Sequence, residues 1–181
     1  MAQLIGISGS LRKASFNTRL LRTAAGFVPD GSSLDARTIH GIPLYDGDVE
    51  ASDGIPEVVA ALKDAIASAD GLVLATPEYN NGIPGVFKNA IDWLSRPPAD
   101  IKRVFGGKPV ALLGASPGGW GTILSQNAWL PVLRTLGAEL YPAKMMVSRA
   151  RDVIADDGSI KDEKIRERLQ DFLAGFVDFV K

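Results

Sequence analysis

The chain has 181 residues, with 21 acidic and 20 basic side chains and a formal charge of −1. That length suits a single α/β domain, 1–181, and the near-neutral balance argues against nucleic acid or an anionic membrane as its main partner. With no cysteine and one histidine, His40, the chain excludes disulfides, thiolate nucleophiles, sulfur-ligated metals and multi-histidine sites, so no metal ligand is expected.

Leu4, Ile5, Gly6 and Ile7 are apolar without alternation, as in a strand covered on both faces. This run lacks the basic start and apolar middle of a secretory signal, and no stretch approaches the ~20 apolar residues of a membrane span. A soluble, cytoplasmic protein is expected. After a polar stretch to Thr18, Leu20, Leu21, Ala24, Ala25 and Val28 share one helical face, and Pro29, Asp30 and Gly31 end that helix. Residues 33–39 alternate in polarity, which places the second strand near a sheet edge. Residues 40–53 read as a long polar connection. Ile55, Val58, Val59, Leu62, Ile66 and Ala69 then form the stripe of another helix.

A third strand, Gly71–Ala75, runs into a polar turn at 77–82 and a Pro-initiated helix at 84–95. Paired prolines at 97–98 and paired glycines at 106–107 bound a predicted surface loop. The fourth strand, 109–113, is wholly apolar and leads into a Ser/Gly-rich loop. Residues 122–136 look helical, with Pro131 expected to kink or split the helix. Glu139–Val147 mixes apolar and polar residues, which suits an outer strand, and 161–181 closes as an amphipathic helix. Five strands, each followed by a helix, imply a parallel sheet with helices on both faces. With the three apolar strands central, the strand order is 2-1-3-4-5.

In such a sheet ligands bind at the carboxyl edge, where the loops after strands one, three and four emerge. The first offers Ser8, Ser10, Ser15, Asn17 and Thr18 with Arg12 nearby, ahead of a helix amino end that attracts anions. It suits a monophosphate. The GxxxxGK[ST] and GxGxxG patterns are both absent, and plain helix capping by serine and asparagine remains the alternative. The second loop, 77–82, offers main-chain donors and acceptors to the polar edge of a flat heterocycle. In the third, Ser116, Pro117, Gly118 and Gly119 include two residues without side chains, which lets a planar ring approach.

Pro77, Glu78, Tyr79 and Asn80, then Gly82, Pro84 and Gly85, then Lys88, Asn89, Asp92 and Trp93, form a pattern that resembles the flavin loop of the NAD(P)H-dependent FMN reductases. Gly9, Ser10, Leu11 and Arg12, followed by Ser15, Phe16 and Asn17, are similar to the phosphate loop of the same family, which includes quinone, chromate and azo-dye reductases. The resemblance is strongest over 6–18 and 72–95 and weak from 122 onward. It implies a flavodoxin-like fold and bound FMN. Ser10, Arg12, Ser15, Phe16, Asn17 and Thr18 would lie on the phosphate side, and Pro77, Glu78, Tyr79 and Asn80 along the isoalloxazine edge. Ser116, Gly118 and Gly119 would lie in the third loop. It further implies NAD(P)H as reductant and small electron-poor acceptors such as quinones, with azo compounds, chromate or free flavin as others. Kinetics should be ping-pong, with no catalytic side chain. A homodimer or homotetramer is expected, its interface formed by the 84–95 helix and the helix after Gly121. Trp120 falls outside the pattern.

Three other readings compete. Gly114, Ser116 and Gly118 match the G-x-S-x-G nucleophile elbow, but the base histidine should follow the serine, and His40 precedes it. A phosphoryl-accepting receiver needs acidic residues after strand one and an aspartate after strand three, where this chain has Ser8, Gly9, Ser10 and Thr76, Pro77, Glu78. A flavodoxin-type electron carrier needs the same FMN site but ordinarily a strongly acidic surface.

Overall fold

The three apolar runs sit where their composition demands, in the middle of one sheet. The computed structural model describes residues 1–181. It contains β1 (Gln3–Ser8), β2 (Ser33–Thr38), β3 (Gly71–Ala75), β4 (Pro109–Ala115) and β5 (Glu139–Val147), all paired in parallel in the order β2-β1-β3-β4-β5. Leu72, Val73 and Leu74 in β3 have no exposed surface, nor does Ile7 in β1. Burying each such side chain contributes about 1.5–3 kcal/mol. The alternating strand β2 and the mixed strand β5 are the edges, as expected from their composition.

Helices cover both faces. On one face, α1 (Phe16–Ala24) and α8 (Glu163–Val180) bury Leu20, Leu21, Leu169, Leu173 and Phe176 against Val73, Ala111 and Leu113. On the other, α3 (Glu57–Ser68), α4 (Gly85–Leu94) and α6 (Ile123–Thr135) bury Ile66, Phe87, Trp93 and Trp129 against Ile5, Leu72 and Leu112. The period-2 strands thus feed two cores, one per face.

Five details differ from the sequence expectations. The polar connection at 40–53 contains a helix, α2 (Gly47–Asp53), capped by Asp46, whose carboxylate accepts from the Asp48 N–H at 2.9 Å. The predicted surface loop at 97–107 contains a 3-10 turn, Pro98–Asp100, and a short helix, α5 (Ile101–Val104), which buries Val104 and Phe105 completely. Pro131 does not split α6, because Trp129 and Leu133 on either side of it are fixed in the core. The first helix ends at Ala24, before Ala25 and Val28. A last short helix, α7 (Ala150–Val153), follows β5.

Candidate active site

The loops after β1, β3 and β4 converge on one cleft at the carboxyl edge. Its walls are Ser10, Arg12, Ser15, Phe16 and Asn17 from the first loop, Pro77, Glu78 and Tyr79 from the second, and Ala115, Ser116 and Pro117 from the third. Thr18, Asn80, Gly118 and Gly119 do not line it.

Ser15 is the N-cap of α1, with extended backbone and its Oγ accepting from the Thr18 N–H at 3.2 Å. Such a cap stabilises a helix by about 1 kcal/mol. The next two main-chain N–H groups, of Phe16 and Asn17, donate to nothing within the chain and open the helix toward an anion. Ser10 Oγ accepts from the Arg12 N–H at 3.3 Å and keeps its proton free to donate. Two side chains of this loop face other work. Thr18 Oγ1 lies 2.7 Å from the buried Ser8 Oγ. The Asn17 carboxamide donates to the Ala115 carbonyl at 2.9 Å and accepts from the Ala115 N–H at 2.8 Å. Asn17 therefore faces the cleft with its main chain. Gly9 serves packing rather than a ligand: a Cβ there would stand 1.9 Å from the Phe87 ring.

The second loop is braced by hydrogen bonds from α6. Buried Thr76 accepts from Trp129 Nε1 at 3.0 Å and meets Ser125 Oγ at 2.8 Å, while its own proton goes to the Pro77 carbonyl. Glu78 accepts from the N–H groups of Leu124 and Ser125 at 2.8 and 3.0 Å, so it caps α6 from another loop. Tyr79 and Gly82 exchange two main-chain hydrogen bonds across Asn80 and Asn81, whose φ angles are 50° and 63°. Positive φ at both central residues is the signature of a type I′ turn, which asparagine tolerates better than most side chains. Tyr79 and Asn80 are exposed at its tip.

In the third loop, Ser116 is held at three atoms. Its Oγ donates to the Gly121 carbonyl, its N–H donates to Val147, and its carbonyl accepts from Ala150. Gly119 has open space where a Cβ would be, and Trp120 is 80% exposed. The hydrolase alternative finds no base here. The His40 ring nitrogens lie 3.1 Å from Thr38 Oγ1 and from the Leu11 carbonyl, and the Ser116 hydroxyl is already committed.

Sequence reading gave no site role to Thr76, Ala115 or Pro117. A threonine at the end of a buried strand was the only signal for the first, and Ala115 acts through its main chain, which leaves no mark in the side chain. It also left Asn89 and Trp93 without a definite role. Asn89 accepts from the Tyr45 N–H and donates to the Pro43 carbonyl, both at 2.8 Å, and Trp93 Nε1 donates to the same carbonyl at 3.0 Å. These residues of α4 thus fasten the segment that leads into α2. Arg96 closes the wrap by pairing with Glu50 at 2.7 Å, and Tyr45 donates to the same carboxylate at 2.9 Å. The Arg96 hydrogen bond, helped by Tyr45, holds the Glu50 carboxyl below its ordinary pKa, while bonding to Glu50 raises that of the Tyr45 phenol.

Comparison with known proteins agrees with this geometry. Residues 2–152 match the family described as NADPH-dependent FMN reductase. The chain is 44% identical to an NAD(P)H-dependent FMN reductase of Pseudomonas aeruginosa, with 93% of this chain and 89% of that one aligned. It is 40% identical to a 2-hydroxy-1,4-benzoquinone reductase of Burkholderia sp, covering 97% and 94% of the two chains. Among solved structures, the flavoenzyme NAD(P)H:(acceptor) oxidoreductase FerB of Paracoccus denitrificans superimposes with a TM-score of 0.86 at 35% identity, covering 99% and 97%. A five-stranded flavodoxin-like sheet, a three-loop cleft and matches over nearly the whole chain have one reading: the chain belongs to the NADPH-dependent FMN reductase family.

Proposed function

We propose that the protein is an FMN-dependent oxidoreductase that passes electrons from NAD(P)H to quinones or similar small electron-poor acceptors. The observation that carries this reading is the pair of unpaired N–H groups, Phe16 and Asn17, opening the amino end of α1 into a cleft that the second and third loops also wall. The residues present fit FMN. Those N–H groups, with the Ser10 and Ser15 hydroxyls and the Arg12 guanidinium, would seat its phosphate. The main chain of Pro77, Glu78, Tyr79 and Asn80 would meet the polar edge of its ring. Ser116 to Gly119 would lie where a flat ring needs clearance. Thr18 would act behind the phosphate through Ser8 rather than on it.

When bound, FMN supplies hydride acceptance from a nicotinamide and electron donation to a second substrate. The chain's own task is to hold and orient. The Thr76 hub and the Glu78 cap tie the second loop to α6, and the Asn17–Ala115 pair ties the first loop to the third. No side chain need move a proton, so no catalytic residue is assigned. The names of the relatives support NAD(P)H as reductant and a quinone as acceptor.

Residues 1–181 would act as one domain, since Leu169, Leu173 and Phe176 of α8, beyond the matched family region, lie in the core. Dependence on a soluble nucleotide supports a cytoplasmic location, and no helix is long and apolar enough to cross a membrane. A groove of about 350 Å³ between α4 and α6, lined by Lys88, Ile91, Pro131, Val132 and Leu136, supports a homodimer or homotetramer built on those helices. Initial rates with varied NADPH and benzoquinone test the reading. Parallel reciprocal plots are expected, because the two substrates use one place in turn. Reduction only through a partner protein would instead identify an electron carrier.

A further inference from the structure

Beside the flavin cleft lies a second groove of about 300 Å³, walled by Arg12, Phe16, Arg19, Pro117, Arg151 and Asp156 among others. It shares Arg12, Phe16 and Pro117 with the cleft, so the two are neighbours along one edge of the first and third loops. Three guanidinium groups face one carboxylate. The chain as a whole carries −1, so this local excess is a feature of the place and not of the composition.

The excess is poorly neutralised. Arg19 Nη1 pairs with Asp156 at 3.0 Å, but that carboxylate is fully exposed, and exposed pairs contribute little. Arg12 and Arg151 take part in none of the ion pairs of the protein. Arg19 is held in place as well, with its guanidinium carbon 5.9 Å from the centre of the Phe16 ring and its side chain 19% exposed. Like charges gathered in one concavity repel unless an anion joins them. Guanidinium forks match phosphate in two-pronged geometry, which lysines do not.

The single phosphate of FMN is provided for in the first loop by the Phe16 and Asn17 N–H groups, the Ser10 and Ser15 hydroxyls and Arg12, which leaves Arg19 and Arg151 to meet another anion. We propose that the Arg19–Arg151 groove receives a phosphate of the nicotinamide nucleotide while that substrate is in place, and that it sets a preference for NADPH over NADH where that phosphate is the 2′-phosphate. This rests on the function proposed above. The recognised chemistry is a phosphate anion, which the nucleotide presents either as the 2′-phosphate monoester of NADPH or as the diphosphate common to both cofactors.

The test uses the FMN-loaded protein and two variants, Arg151→Ala, at an exposed side chain without a partner, and Arg19→Lys, which keeps the charge and removes the fork. Binding of 2′,5′-ADP and of ADP is measured by calorimetry, and KM for NADPH and NADH by steady-state rates, with FMN content checked in each preparation. Arg151→Ala should weaken 2′,5′-ADP roughly 10-fold or more, the loss expected for one charge-assisted contact. Its FMN content should match that of the wild type. A rise in KM for NADPH alone identifies the 2′-phosphate, and a parallel rise for NADH and for ADP binding identifies the diphosphate. Unchanged nucleotide binding and unchanged KM values in both variants would overturn the proposal. A wild type that holds no FMN but still binds 2′,5′-ADP through Arg151 would sink the flavin reading and leave the groove assignment standing.

Discussion

The side chain of Asn17 and the main chain of Ala115 exchange two hydrogen bonds of 2.9 and 2.8 Å, so a carboxamide stands where a neighbouring strand would. This pair joins the first turn of α1 to the end of β4, and all four atoms are buried. Replacing Asn17 by leucine leaves the Ala115 N–H and C=O unpaired. Each buried orphan costs about 1–3 kcal/mol, so Asn17→Leu should lower stability by about 2–6 kcal/mol. Urea unfolding of the flavin-free protein measures this. A loss confined to FMN affinity, with stability intact, would mean that Asn17 acts on the ligand and not on the loops.

The turn at Asn80 and Asn81 makes a separate prediction. A β-branched residue at φ of 63° is strained, so Asn81→Val should cost about 1–2 kcal/mol, while Asn81→Gly should stay within about 0.5 kcal/mol of the wild type. Thermal unfolding of the two variants ranks them. If valine is tolerated as well as glycine, the turn is not needed to shape the second loop.

The Glu50–Arg96 pair predicts acid sensitivity. The Glu50 carboxyl is held low by its hydrogen bond to Arg96, and that of Asp100 is held low by its bond to Lys63. A depressed folded pKa gives stability that is complete above the unfolded value, about 4, and is lost as pH falls through the folded one. Urea midpoints should therefore fall on acidification below about pH 4, and the Arg96→Met variant should show a shallower fall. Identical pH profiles would show that the pair does not fasten α2 to α4.

How much of this was legible in the sequence follows from the range of the forces involved. Leu72, Val73 and Leu74 announce a buried strand by themselves, because burial on two faces needs only local composition. Ser10 and Ser15 could be placed at the cleft because they sit in the loop that opens α1, whereas Gly118 and Gly119, expected beside them, do not line it. The wrap of residues 43–50 over α4 was not legible. It depends on Asn89, Trp93 and Arg96, distant partners that read equally well as an ordinary helix face. Glu78 likewise gave no sign that it caps α6, nor Gly9 that it makes room for Phe87.

Ser116→Ala decides whether the G-x-S-x-G match carries any chemistry. The hydroxyl donates to the Gly121 carbonyl and no histidine stands beside it. The variant should keep most NAD(P)H-dependent reduction while losing about 1 kcal/mol of stability, and a serine-directed acylating reagent should not label the wild type. Stoichiometric labelling at Ser116 together with esterase activity would point to hydrolysis instead.

The most direct measurement is anaerobic stopped-flow mixing of the purified, oxidised protein with NADPH and, separately, with NADH, following the visible flavin absorbance. One FMN per chain, bleached by at least one nucleotide as fast as the enzyme turns over with benzoquinone, is the predicted result. A protein that carries no flavin after incubation with FMN, or whose bound flavin neither nucleotide bleaches, would contradict it.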